Sequence, residues 1–217
     1  VYIASCFEPP TTPLGLNELA VAGGLRGRAV AMVKSVSVDA KSIANAEIVI
    51  EGELLPGRRI REDINTDSGK AMPEFPGYTG PANPALPVIK VRAVTHRVRP
   101  IMQTCIRPSE EHVILAGIPT EASIIRLVEK SMPGKLRTVY AHRSGGGKYV
   151  AVMQFQKSVP TDEGKQRQAA LTAFAAYSEL KTVILVDEDV DPFDTDDVLW
   201  AMTTRFQSDV DMICIPG

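Results

Sequence analysis

The chain has 217 residues, of which 44% are hydrophobic and 23% charged. That is ordinary globular composition, and it excludes collagen-like, disordered and disulfide-scaffold chains. With 24 basic against 26 acidic residues the net charge is −2, so no bulk basic field draws the chain to nucleic acid or to a membrane surface.

Residues 1–18 read as a short strand followed by the loop Glu8-Pro9-Pro10-Thr11-Thr12-Pro13. Its prolines exclude helix and central strand. A short amphipathic helix is expected from near Gly15 to Gly23-Gly24, since Gly-Gly is a natural helix stop. Residues 29–38 and 46–55 are rich in Val and Ile and read as strands. Residues 88–98 alternate, with Ile89, Val91 and Ala93 on one face and Lys90, Arg92 and His96 on the other. That pattern predicts a half-buried strand. Between these strands lies a Gly- and Pro-rich insertion, residues 56–87. A loop of that length inside a compact domain is usually functional or disordered.

Beyond residue 118 the texture changes to α/β alternation. The spacing predicts helices over 120–132, 161–177 and 194–206. Strands are expected at Leu136–Ala141, 149–156, Thr182–Val186 and 211–215. Asp194 is the expected N-cap of the last helix, with Asp197 at N3 close to a capping box. The domain boundary is placed at 118, giving 1–118 and 119–217.

Cys6, Cys105 and Cys214 are scattered and lack the CxxC spacing of a zinc or redox site. A reducing, cytoplasmic compartment is the natural expectation. The apolar runs fall short of the roughly 18–20 residues of a membrane span. The sequence opens at Val1 within what reads as a strand, so a fragment of a longer polypeptide is expected.

Several polar features compete for chemistry. Asp187-Glu188-Asp189-Val190-Asp191 follows a buried strand and offers hard oxygen ligands for Mg or Ca. A polar strand-to-helix turn is the favoured alternative. Gly145-Gly146-Gly147-Lys148 lacks the full phosphate-loop pattern and reads better as a hairpin turn. Glu62 and Glu74 lie in the long insertion. A carboxylate among Phe, Pro and Met, as at Glu74, is open to desolvation, which raises its pKa and suits it to proton transfer. The plain alternative for both is an exposed loop glutamate. Glu18 reads as a first-turn helix glutamate. His96, His112 and His142 share no ligand spacing.

Six segments together resemble the UbiD family of decarboxylases, which use prenylated FMN. They are Ala22-Gly23-Gly24-Leu25-Arg26-Gly27, the run 46–53, Pro73-Glu74-Phe75-Pro76-Gly77-Tyr78, Val94-Thr95-His96-Arg97, the run 186–191 and Val198-Leu199-Trp200-Ala201. The resemblance implies a split β-barrel (flavin-reductase-like) cofactor-domain portion over 1–118, with 56–87 as its active-site loop. An incomplete α/β domain that mediates oligomerisation would follow over 119–217. It implies reversible, non-oxidative decarboxylation of an aromatic, heteroaromatic or α,β-unsaturated acid, in which a glutamic acid supplies the proton and the cofactor the electron sink.

Residue by residue, Glu74 matches the family's proton donor and Glu62 its second catalytic carboxylate, partner to an arginine. The two stand twelve residues apart here, where the family usually has five, so Asp67 is a rival to Glu62. Glu18 matches a ligand of the metal that bridges the cofactor phosphate. Mn or Mg is implied there. Ala4 and Ser5 match a potassium site. Phe75, Glu111 and His112 fall on the substrate side. The family's catalytic arginine, and an Asn and His of the metal site, match nothing in this sequence. An isolated fragment is therefore expected to be inactive. The expected partners are a small carboxylic acid and further copies of the chain as a homodimer or larger oligomer. A non-catalytic scaffold subunit of a carboxylase complex is the alternative.

Overall fold

The computed structural model describes residues 15–71, 78–102 and 109–216. These fall into two compact units, residues 15–109 and 110–216.

The first unit opens with α1 (Glu18–Leu25). Asn17 caps it: its Oδ1 accepts the Leu19 N–H at 2.8 Å, which satisfies one of the free amides of the first turn. Gly23 and Gly24 lie inside the last turn rather than ending it. The stop comes at Gly27, whose φ is +69°. Strands β1 (Met32–Lys34) and β2 (Lys41–Ile43) form a small antiparallel pair. The sequence reading merged β1 with its turn and missed β2, because Lys41-Ser42-Ile43 is short and half polar.

A long antiparallel ribbon follows, β3 (Ile48–Ile60) against β4 (Leu86–His96). Strand β3 runs through Pro56-Gly57 by way of an irregularity, so the connection between the strands is residues 61–85 rather than 56–87. The register shifts at Glu51/Gly52, where an extra β4 residue is accommodated. A side chain at Gly52 would strike the Lys90 carbonyl oxygen and the Ile89 side chain, so the close approach requires glycine there.

The buried carboxylate of Glu51 reaches from β3 to the turn between β1 and β2. It accepts the Val36 N–H at 3.0 Å and the Ser37 N–H and Oγ–H, each at 2.7 Å. These donors hold its carboxyl below the usual range.

The expected split β-barrel is not found. Among the described residues of this unit the strands form two separate two-stranded ribbons, and neither is closed or strongly curled. Closure needs each edge strand to find a partner. Here Ile50 pairs with Val94 and Leu54 with Ile89, and all four are more than half exposed. The half-buried face expected of 88–98 is therefore exposed at Ile89 and Val91.

The second unit is an α/β arrangement. Helix α2 (Glu110–Ser131) starts ten residues before the helix read from the sequence. Gly117 and Pro119 lie inside it, although each disfavours a helix interior. The sheet has the order β5 (Leu136–Ala141), β6 (Val150–Phe155), β7 (Thr182–Val186). The β5–β6 pair is antiparallel and β6–β7 is parallel. Helix α3 (Lys165–Ala176) makes the crossover. Helix α4 (Thr195–Thr204) follows β7, capped by Asp194 as expected.

Alternation along β6 sends its side chains to two cores. Ala151, Met153 and Phe155 pack with Ile124 and Val128 of α2 and Ala169 and Ala173 of α3. Val152 packs on the other face with Val186, Val190, Val198 and Ala201. The strand expected at 211–215 does not form. Met212, Ile213 and Ile215 are exposed there, and no described strand pairs with them. No helix among the described residues is long and apolar enough to cross a membrane.

Candidate functional site

The long connection of the first unit carries an acidic cluster. Glu62 pins its two ends together. The Glu62 N–H donates to the Asn83 carbonyl at 2.9 Å, and Glu62 Oε2 accepts the Asn83 N–H at 2.9 Å. Asp63 is buried and accepts the Gly69 N–H at 2.7 Å. Asp67 takes a left-handed φ of +46°, a conformation that Asp tolerates better than most residues. The Arg61 guanidinium donates to Asp67 Oδ1 at 2.6 Å and sits 3.6 Å from Asp63. The two carboxylates raise the Arg61 pKa. The arginine, both aspartates and Glu62 thus fold into one loop, and Asp67 is the carboxylate bonded to Arg61.

Glu74 and Phe75 lie outside the described residues, as do Ala4 and Ser5. Glu18 is exposed in the first turn of α1. Among the described residues no group of three or more His, Cys, Asp or Glu side chains is gathered to hold a metal. The acidic run 187–191 is engaged in ion pairs and turn hydrogen bonds. Asp189 is bonded to Arg205 at 2.6 and 2.9 Å, Glu188 lies 3.0 Å from Arg137, and Asp197 accepts the Asp191 N–H at 2.6 Å. The turn reading fits this geometry.

The glycine run 145–147 forms the β5–β6 connection. Gly146 and Gly147 have φ of +66° and +74°. A side chain at Gly147 would run into the Val113 carbonyl and the Gly117 backbone.

Glu111 and His112 stand in the first turn of α2, Glu111 exposed and His112 partly buried. Their neighbours on the helix, Glu110, Val113, Ile114, Gly117, Ile118 and Glu121, wall a cleft of about 110 Å³ completed by Tyr140, Ala141 and Arg143. Arg143 and Glu110 meet at 3.4 Å. Burial pushes the Glu121 carboxyl up, against the Ala141 N–H that holds it down.

The sequence does not single out Glu121, and it offers His142 only as one of three histidines without ligand spacing. A helix begun at Thr120 places Glu121 in its first turn, where nothing sets it apart from an ordinary helix glutamate. His142 has no ligand spacing, and only its place at the end of a strand beside Tyr140 signals burial.

Two family models cover the chain. The 3-octaprenyl-4-hydroxybenzoate carboxy-lyase Rift-related domain matches residues 1–110, and the C-terminal domain of the same carboxy-lyase matches 113–217. The chain belongs to the UbiD family.

Its UbiD relatives include the gallate decarboxylase of Lactiplantibacillus plantarum. That protein is 61% identical over 217 residues, which is all of this chain and 44% of the relative. The apo 3,4-dihydroxybenzoic acid decarboxylase of Klebsiella pneumoniae is 66% identical, with a TM-score of 0.89 over 96% of this chain and 43% of that one. An evolved dimeric form of the UbiD-class enzyme HmfF from Pelotomaculum thermopropionicum, in complex with prFMN, is 38% identical. Its TM-score is 0.82 over 97% of this chain and 47% of that one. The chain thus spans less than half the length of these relatives.

Proposed function

We propose that the protein containing this chain is a prenylated-FMN-dependent carboxy-lyase that removes carbon dioxide from a hydroxylated benzoic acid. One observation carries the reading. Identity of 61% to a gallate decarboxylase extends over every residue of the chain. Identities at that level to a 3,4-dihydroxybenzoic acid decarboxylase point to the same substrate class.

The cofactor, when bound, supplies the electron sink for the pair released as the carbon–carbon bond breaks. This chain supplies the proton. Glu74 is the proposed donor. It gives its proton to the ring carbon that has lost carbon dioxide, and its carboxylate is reprotonated from solvent. Glu62 is the proposed second carboxylate, held in place by its two backbone bonds to Asn83. Phe75, Glu111 and His112 are proposed to face the substrate. The exposed aliphatic face of the β3–β4 ribbon, with Ile50, Val94, Leu54 and Ile89, suits an apolar ring system.

A metal is a different matter. Glu18 is one exposed carboxylate, and among the described residues no group of three or more His, Cys, Asp or Glu side chains is gathered to hold a metal. Glu18 is proposed as one ligand of a Mn or Mg ion, and Ala4 and Ser5 as ligands of potassium. Assembly as a homodimer or larger oligomer is proposed from the family resemblance and from the likeness to an evolved dimeric form of a UbiD-class enzyme.

Glu74→Gln in the full-length, cofactor-loaded protein tests the assignment. It is expected to abolish turnover and proton–deuterium exchange into the product. Near-normal turnover would remove Glu74 from the mechanism.

A further inference from the structure

His142 closes β5 and is only 8% exposed. Its ring is held from two sides. The Ser144 N–H donates to Nδ1 at 3.1 Å, so that nitrogen carries no proton. The Ser144 hydroxyl lies 2.7 Å from the same atom and donates to it. The ring proton therefore sits on Nε2, which donates to Thr195 Oγ1 at 3.0 Å. Thr195 is the first residue of α4. Tyr140 stands edge-on to His142 at 5.3 Å and packs against Phe193 at 5.0 Å, just ahead of the helix.

The rest of the attachment of α4 is modest. Val198 and Ala201 enter a small cluster with Val152, Val186 and Val190. Leu199, Trp200 and Met202 on the helix are exposed. An element with few buried apolar contacts opens more readily than the whole fold.

We propose that His142 is a pH-sensitive latch: neutral, it fastens the start of α4 to the β5–β6 turn, and protonated, it leaves its seat and frees the helix. A second proton must go on Nδ1. It would then point at the Ser144 N–H, donor against donor. The buried cation would also be poorly hydrated. Both costs are relieved when the ring swings out to water. That movement removes the bond to Thr195 and the edge contact with Tyr140 together.

The surrounding charges divide. Arg143 in the same turn opposes protonation, and its pairing with Glu110 of α2 tempers it. Asp194, Asp196 and Asp197 at the start of α4 favour it, although Asp194 and Asp197 are engaged with backbone N–H groups. The positive end of α4 opposes it. Glu121 of α2 is bonded to the Ala141 N–H beside the histidine, and Tyr140 is neutral at these pH values. Burial first, and Arg143 second, hold the imidazole below its ordinary value. A lowered value in the docked state means that the undocked state takes up the proton more readily. Docking is therefore complete above about pH 6.5 and weakens as pH falls below it.

Native-state hydrogen exchange on the intact protein between pH 5 and 8, expressed as protection factors corrected for intrinsic rate, tests this. The α4 amides 198–204 are expected to lose protection below about pH 6.5, by up to the one-proton limit of roughly tenfold per pH unit. The amides of α2 and α3 are expected to hold steady. His142→Gln should make α4 protection independent of pH. Thr195→Val leaves the β5–β6 turn intact and should bring α4 protection at pH 8 down to the wild-type low-pH value, so it carries the test if His142→Gln does not fold. Protection of α4 that is flat with pH in the wild type, that falls equally in α3, or that still depends on pH in His142→Gln would overturn the latch. So would an imidazole nitrogen spectrum that places the neutral proton on Nδ1.

Discussion

Glu121 Oε1 accepts the Ala141 N–H at 3.0 Å, so a carboxylate on α2 covers the outer edge of β5. Among the described residues β5 is the end strand of its sheet, and an uncovered edge leaves amides without partners. The raised value of the Glu121 carboxyl, caused by burial, sets the direction of its pH effect. The folded chain holds this proton more tightly than the unfolded chain. The group's contribution is full below the ordinary glutamate value of about 4.3 and is lost as pH rises through the folded value. Glu121→Gln keeps an acceptor and should leave the thermal midpoint at pH 7 unchanged or slightly higher. Glu121→Ala strands the Ala141 N–H and should cost about 1–3 kcal/mol in a denaturant titration.

Asp162 is the reverse case. It is 1% exposed, and its carboxylate takes Lys135 at 2.6 Å, Lys165 at 2.8 Å and the Ser158 and Val159 N–H groups at 2.8 and 3.1 Å. The lysines first, and the Ser158 N–H next, hold the carboxyl far below the usual range. The stability it contributes is present above the ordinary carboxylate value of about 4 and is lost as pH falls below it. Asp162→Asn should lower the thermal midpoint by several degrees at pH 7. The difference from wild type should shrink in melts run at progressively lower pH.

Gly147 in the β5–β6 turn has no room for a side chain. Its φ is +74°, and a Cβ would meet backbone atoms of Val113 and Gly117. Left-handed geometry alone costs a non-glycine residue about 1–2 kcal/mol, and the clash adds to it. Gly147→Ala should destabilise the fold by more than about 2 kcal/mol in urea unfolding. Gly134, also at positive φ but with open space around it, should lose less on the same substitution.

Asp194 caps α4 through the Asp196 and Asp197 N–H groups at 2.9 and 3.5 Å. Asp194→Ala should cost about 0.5–2 kcal/mol, read by chemical denaturation. Asp194→Ser should recover most of it.

The second unit was the more legible half of the sequence. Its helices and strands bury faces within the chain, so Leu136–Ala141, Thr182–Val186 and the Asp194 cap could be read from apolar spacing and turn chemistry. Helix α2 was read ten residues short, because Gly117 and Pro119 are local signals against helix that tertiary packing overrides. In the first unit the local signals did find the ribbon. The split β-barrel was implied by the family resemblance and does not form among the described residues, and the face of Ile89 and Val91 that alternation marks as half-buried is exposed. The 211–215 strand does not form either: β-propensity without a partner strand does not make a strand. The acidic turn at 187–191 was legible as a turn because Asp191 accepts the Phe193 N–H two residues on, a local bond that Asp favours in turns. The network of Arg61, Asp63 and Asp67 was not, because bonds within an irregular loop leave no periodic trace. Nor was the burial of Glu51, because the amides that bind it belong to a turn some fifteen residues earlier in the chain.

The proposed reaction is tested most directly by the release of carbon dioxide from gallate and from 3,4-dihydroxybenzoate by the full-length protein loaded with prenylated FMN, against benzoate as a control. Release is expected from at least one of the hydroxylated acids, in step with the matching phenol, and none without the cofactor. Loaded protein that leaves both acids intact while the gallate decarboxylase relative turns over in the same assay would contradict the proposal.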